Sequence, residues 1–272
     1  MRIGLIAAAL LTAPLWGQDK PKAPSTAEAA EQVRTIQTRL QTTAAVGDFQ
    51  ADVARREKEF DGLKEIVSRY VVARIEASPD IKVWDLRNGL IDVLGVKYDE
   101  RLGPDNFHQP PYVFRIEPPY LSNRPVVFAL VYDGDVYDGS GGARVVVESY
   151  ALEKGKARLA GRGGSELNGI YMRENRGGAQ QVGADELLVQ GLVAWSSGHE
   201  LPYGAALYRV TENGVETVWA KVTPGLHASV FGSHLMVEYH DEKLDNGHDP
   251  DTRLDVYYLD NGVPKLVFQR VF

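Results

Sequence analysis

Three stretches of this chain repeat one pattern. Each has a long apolar strand ending in an aromatic residue, then a polar loop, then a hairpin closed on glycine. The strands read VVFALVY to Tyr132, ELLVQGLVAW to Trp195 and HLMVEY to Tyr239, and the hairpins read ESYALEKGKARL, ALYRVTENGVETVW and DVYYLDNGVPKLVF. A supersecondary unit that cannot bury its apolar face alone must stack on copies of itself, so the repetition constrains architecture more than function. Each copy divides into four strands. These are expected at 112–116, 126–132, 143–152 and 156–161; at 169–174, 186–195, 204–210 and 215–222; and at 227–231, 234–239, 252–259 and 264–271. Asn213-Gly214 and Asn261-Gly262 are the residue pairs that a two-residue turn with positive φ requires, and Gly155 closes the first hairpin. Four-stranded antiparallel units at a period of roughly 50 residues resemble propeller blades. Only three are found, fewer than a closed propeller needs. The expected fold is therefore α+β and mainly β, a helical N-terminal region followed by three propeller-like units. An open stack of sheets and a trefoil-like barrel are the alternatives.

The helical region is expected over residues 25–77. Ser25 and Glu28 have the spacing of a capping box. Val33, Ile36 and Leu40 recur at helical spacing, with Gly47 as a stop. Phe49, Val53, Phe60, Leu63, Val67, Tyr70 and Val71 form one stripe that ends near Ala77, before Ser78-Pro79. The stripe fits either a helical hairpin packed on the β region or a partner helix. Residues 78–111 are a connector with two readings. Ser78, Pro79 and Asp80 suggest a helix start, whereas Asn88-Gly89 between apolar runs suggests a hairpin. Ile81 to Val96, with Trp84-Asp85, resembles the hairpin of WD-type propeller repeats. That likeness covers 81–96 alone, without the Gly-His element, and carries no function with it. The β region is expected over 112–272.

Met1 to Gly17 has the parts of a secretory signal: basic Arg2, an apolar run from Ile3 to Leu11, and small residues Ala13 and Gly17. The run is too short for a membrane span, which takes about 20 apolar residues. Residues 18–24 read as a disordered tether. The expected location is periplasmic or extracellular, with no stable membrane insertion once the signal is removed. The chain has no cysteine, which removes disulfides, catalytic thiols and thiolate metal sites. Its net charge of −7 argues against a nucleic-acid partner.

Chemistry, if any, falls in the loops that follow Tyr132, Trp195 and Tyr239. These bring Asp133, Asp135, Tyr137 and Asp138; His199, Glu200 and Tyr203; and His240, Asp241, Asp245, Asp249 and Asp251. Tyr132, Asp133, Asp135, Tyr137, Trp195, His199, Glu200, Tyr203, Tyr239, His240 and Asp241 are the candidate ligand-binding residues. Their aromatics could stack on a glycan or grip a protein partner. Asp133, Asp135 and Asp138, or Asp245, Asp249 and Asp251, are candidate calcium ligands, because hard cations favour turning, oxygen-rich loops. No cofactor other than calcium is expected. No nucleophile elbow, phosphate-binding loop or short metal motif is present. The expected function is an exported, soluble, non-enzymatic binding or assembly module. The alternative is a metal-assisted or carboxylate-based hydrolase of glycan or phosphate esters at the loop face.

Overall fold

A computed structural model describes residues 24–41, 49–96, 110–119, 123–134, 144–167, 170–171, 178–193, 202–240, 252–260 and 263–272. Three helices come first: α1 (Thr26–Gln41), α2 (Phe49–Ala77) and α3 (Val83–Leu94). The capping box forms reciprocally. Ser25 N–H donates to Glu28 Oε2 at 2.7 Å, and Glu28 N–H donates to Ser25 Oγ at 3.2 Å. The stripe of α2 is buried through Phe60, Leu63, Val67, Tyr70 and Val71. It is covered by the other helices and by the first sheet, so it is not left open for a partner helix.

The connector is helical over 83–94, and the likeness to a WD-type hairpin does not survive. Gly95, at φ 64° and ψ 30°, ends α3 in the left-handed conformation, and its N–H bonds to Ile91 O. Gly89 is not a turn residue. It lies where a β-carbon would come within 2.2 Å of Tyr70 Oη, so its missing side chain lets α3 close onto α2. Leu86, Leu90, Val93 and Leu94 then bury at helical spacing, which decides the segment against the local Asn-Gly signal.

The strands form three antiparallel sheets. Sheet 1 is β1 (Tyr112–Ile116), β2 (Val126–Asp133), β3 (Val145–Glu153) and β4 (Lys156–Gly163) in sequential order. Sheet 2 contains β5 (Ile170–Tyr171), β6 (Gly178–Gln181), β7 (Glu186–Val193), β8 (Pro202–Thr211) and β9 (Gly214–Pro224), with β5 and β6 both pairing with β7. Sheet 3 is β10 (His227–Phe231), β11 (His234–His240), β12 (Thr252–Asp260) and β13 (Val263–Val271).

The three sheets share one defect. In each, the register between the last two strands slips once: between Ser149 and Tyr150, between Leu207 and Tyr208, and between Val256 and Tyr257. The extra residue is Ala160, Val218 or Val267, always the fifth residue of the outer strand. A tyrosine faces each bulge, three residues before the hairpin closes. Lys154 and Gly155 make the first turn with φ 50° and 76°. The second turn is one residue earlier than expected. Thr211 pairs with Gly214, so Glu212 and Asn213 are the turn residues and Gly214, at φ 146°, opens β9. Asn261-Gly262 lies outside the described residues.

The layers stack in chain order. One face of sheet 1 packs on the helices through Phe128, Leu130, Tyr132, Val146 and Tyr150. Its other face meets sheet 2, where Val127, Val131 and Val147 touch the cluster of Leu187, Val189, Ala206 and Tyr208. The far face of sheet 2, with Leu188, Ala205 and Leu207, packs on Leu235, Val237 and Tyr239 of sheet 3. Among the described residues the sheets close into neither a ring nor a barrel, and the arrangement is the open stack.

Gly89→Ala tests the α2–α3 contact. Helix propensity alone would raise stability by up to about 1 kcal/mol. The clash with Tyr70 reverses that sign, and we expect a loss of about 1–3 kcal/mol and a lower thermal midpoint. A raised midpoint would contradict the close approach.

Candidate functional site

The strands that precede the expected loops, β2, β7 and β11, end on one side of the stack. Gly178, opposite Gln190 on β7, lies against the Tyr112 hydroxyl, and Tyr112 pairs with Val131 near the end of β2. Farther down both sheets, the β8–β9 turn meets the middle of sheet 1. There Ser149 Oγ donates to Thr211 O at 2.5 Å, and Arg158 Nη2 donates to Glu212 O at 2.9 Å. Strands β2 and β7 therefore run the same way. On the other side the His240 ring sits against Gly225, just past the end of β9, so β11 ends at that level too. Asp135, Tyr137, Asp138, Trp195, His199, Glu200, Asp241, Asp245, Asp249 and Asp251 lie outside the described residues. Asp133, Tyr203 and His240 are half-buried at the strand ends, whereas Tyr132 and Tyr239 are buried core side chains.

Below those ends lie two matching polar hubs. In sheet 1, fully buried Glu148 accepts from the Tyr150 hydroxyl and, at 2.7 Å, from Arg162 Nε across the ladder, with Tyr132 beside it. Arg162 continues to α2, donating to Glu65 Oε1 at 2.7 Å and to Lys64 O at 3.2 Å. In sheet 3 the corresponding residues are Asp255, Tyr257, Gln269 and Tyr239. Asp255 accepts from Tyr239 Oη at 2.9 Å, Gln269 Nε2 at 2.6 Å and Tyr257 Oη at 3.4 Å. Lys221 of sheet 2 closes this hub, with Nζ 3.6 Å from Asp255 and 3.2 Å from the Tyr239 ring centroid. Ala206 takes the acid's place in the middle unit. Tyr208 there turns to Glu166 at 3.2 Å, and Thr217 Oγ1 donates to the same carboxylate at 2.7 Å.

Burial sets the titration of these groups. It pushes the Glu148 carboxyl above its ordinary range, against the hydrogen bonds from Tyr150 and Arg162. Burial, reinforced by the neighbouring acid, holds the Tyr132, Tyr150, Tyr239 and Tyr257 hydroxyls above their ordinary range. Each acid is already surrounded by donors from its own sheet. Glu148 and Asp255 belong to separate hubs in sheets 1 and 3, and do not form the paired carboxylates that glycoside hydrolysis uses.

The outer face of sheet 3 is different. It corresponds to the faces that sheets 1 and 2 bury against the next sheet, and among the described residues no layer covers it. Trp219 of sheet 2 packs on Tyr257 with ring centroids 6.1 Å apart, and its equivalent Phe268 is 48 % exposed. Tyr258 is 42 % exposed and Phe231 is 78 % exposed. The edge strand β13 is exposed along nearly all its length, and Val267 and Val271 are open as well. Pro264 is tolerated in β13 because Leu259, opposite it, directs its N–H to Ser233 O and away from that strand.

No protein-family model matches the chain, and no curated protein matches it. Among the described residues, no cluster of three or more histidine, aspartate and glutamate side chains could hold a metal ion. Also among them, no helix is long and apolar enough to cross a membrane. An open polar cleft of about 530 Å³ lies among the helices, between Thr26, Arg74, Asp80, Lys82, Asp85 and Asp92. The hub residues Glu148, Tyr150, Arg162, Asp255, Tyr257 and Gln269 were not among the expected site residues. Their signal is present in the hairpins, where Glu-Ser-Tyr, Ala-Leu-Tyr and Asp-Val-Tyr occupy one position.

Glu148→Gln tests the hub through pH. An acid whose folded-state pKa is raised contributes stability below its unfolded pKa, about 4.3, and loses it as pH rises through the folded value. The unfolding free energy of the native chain minus that of the variant should therefore fall between pH 4 and 7. A difference that rises over that window would contradict a buried carboxyl with a raised pKa.

Proposed function

We infer that this is an exported, non-enzymatic assembly module, built of three propeller-blade-like units, that seats another macromolecule on the outer face of sheet 3. The observation that carries the reading is the unequal treatment of equivalent faces. The outward faces of sheets 1 and 2 are covered, and the matching face of sheet 3 exposes Tyr258 and Phe268 beside a long apolar edge strand. Contiguous apolar surface of this kind favours a protein partner, and with Pro264, Lys265 and the Val267 bulge blunting the edge of β13, packing on the face is favoured over strand addition.

The other end of the stack supports the same direction of assembly. The helices occupy the position of a preceding unit. Glu76 Oε1 accepts from the edge N–H of Ala157 in β4 at 3.2 Å, so helix α2 guards that edge. Export is supported by the basic, apolar and small-residue sequence of the first 17 residues. The shared loop end, with Asp133, Tyr203 and His240 at its rim, is the place for any glycan or calcium ion that accompanies docking.

A photo-crosslinking amino acid placed at Phe268, in cells that export the chain, should give a defined adduct. The same group at Arg34, exposed on α1, should give none. Absence of an adduct from Phe268 would contradict the docking role of this face.

A further inference from the structure

The outer face of sheet 3 is ordered in rows that run across the strands. The ladder places Glu238, Leu254 and Arg270 side by side; then Met236, Val256 and Phe268; then His234, Tyr258 and Lys265. The alternation of the strands sends all nine to the same face, opposite Leu235, Val237 and Tyr239. Along each row the central residue lies on β12, with the outer two on β11 and β13.

We propose that a second copy of this chain covers this face, packing sheet 3 on sheet 3 about a two-fold axis that runs along β12. This rests on the reading of the face as a docking surface, and it names the partner. Such an axis keeps the level of each row and exchanges β11 with β13. Glu238 of one copy then faces Arg270 of the other, twice per dimer. Met236 faces Phe268, a sulfur–aromatic contact. Leu254, Val256 and Tyr258 meet their own counterparts on the axis. The charges suit this occupant: the only acid in the three rows and the arginine of its own row stand on strands that the axis exchanges. A head-to-tail contact of sheet on sheet is blocked, because helices already cover the other face of sheet 1. Packed sheets cross at about 30°, a rotation that long Glu and Arg side chains can span.

The size of the contact sets its strength. The three strands that overlap, each about seven residues long, cover about 340 Å² in plan, at the small end of specific interfaces. The dimer should therefore form in the micromolar range, not as an obligate assembly.

Sedimentation of the mature chain from about 1 to 100 µM tests this. Native protein should pass from monomer to dimer across that range. Glu238→Lys alone and Arg270→Glu alone should each weaken association at least about tenfold. The double variant should return it to within about threefold of native. Both positions are exposed, and unchanged circular dichroism and thermal midpoints would show that the variants fold. A native chain that stays monomeric at 100 µM, or a double variant no tighter than its singles, would overturn the proposal. The Phe268 adduct separates this outcome from failure of the underlying reading. An adduct of twice the chain mass supports the two-fold pair. One of any other mass keeps the docking face and rejects self-association. No adduct rejects both.

Discussion

The stack depends on a tyrosine held opposite a β-bulge. Inserting one residue into the outer strand sharpens the right-handed twist at a fixed level. Ala160, Val218 and Val267 sit at one position in their units, so the bulge acts at the same level of each sheet. Tyr150 and Tyr208 face those bulges and are among the largest fully buried side chains. A buried phenol needs a partner for its hydroxyl. The three units answer that need with Glu148, Glu166 and Asp255, and in the first and third the acid lies two residues before the tyrosine. An acid so placed must itself be surrounded by donors, which explains Arg162 and Gln269 directly across the ladder.

Asymmetry between the two ends follows from the helices. Arg162 joins the sheet 1 hub to α2, and Arg144 Nη1 adds a bond to Glu57 Oε2 at 2.5 Å. With Phe60, Leu63 and Tyr70 in the same cluster, the helical layer becomes a sealed cap on the first sheet. Sheet 3 has the same inward hub, and among the described residues no cap lies on its other side. Its outer face mixes apolar and charged residues, as a surface that is alternately solvated and covered should. A permanently buried face would lack Glu238, Arg270 and Lys265, since unpaired charges are costly to bury.

Much of this architecture could be read from residue order. The four-strand division of each unit holds, except that β5 is short and β6 adds a strand at 178–181. The capping box at Ser25 and the end of α2 at Ala77 were legible because local hydrogen bonding and helix breakers act over a few residues. Residues 81–96 were not decided by sequence, since Asn88-Gly89 is a turn signal locally and a packing device against Tyr70 in the fold. The hubs were missed for a related reason. Aligning the repeats on terminal aromatics and turn glycines hides the bulge, which is a property of pairing between strands. Whether a neighbouring layer covers the apolar residues of β13 is likewise invisible in a strand's own pattern.

Helices and sheets stack in chain order, which leaves the face of sheet 3 at the far end from the helices. Since the chain has no cysteine, single cysteines at Arg34 on α1 and Glu238 on β11 would carry the only spin labels. Labelled protein diluted into an excess of unlabelled chain would report the distance between them by pulsed electron resonance. Successive layers about 10 Å apart place the helices and sheet 3 about 30 Å apart or more. A distance near that value is the result a linear stack predicts. A distance below about 20 Å, with sheet 3 curled back against the helices, would contradict it.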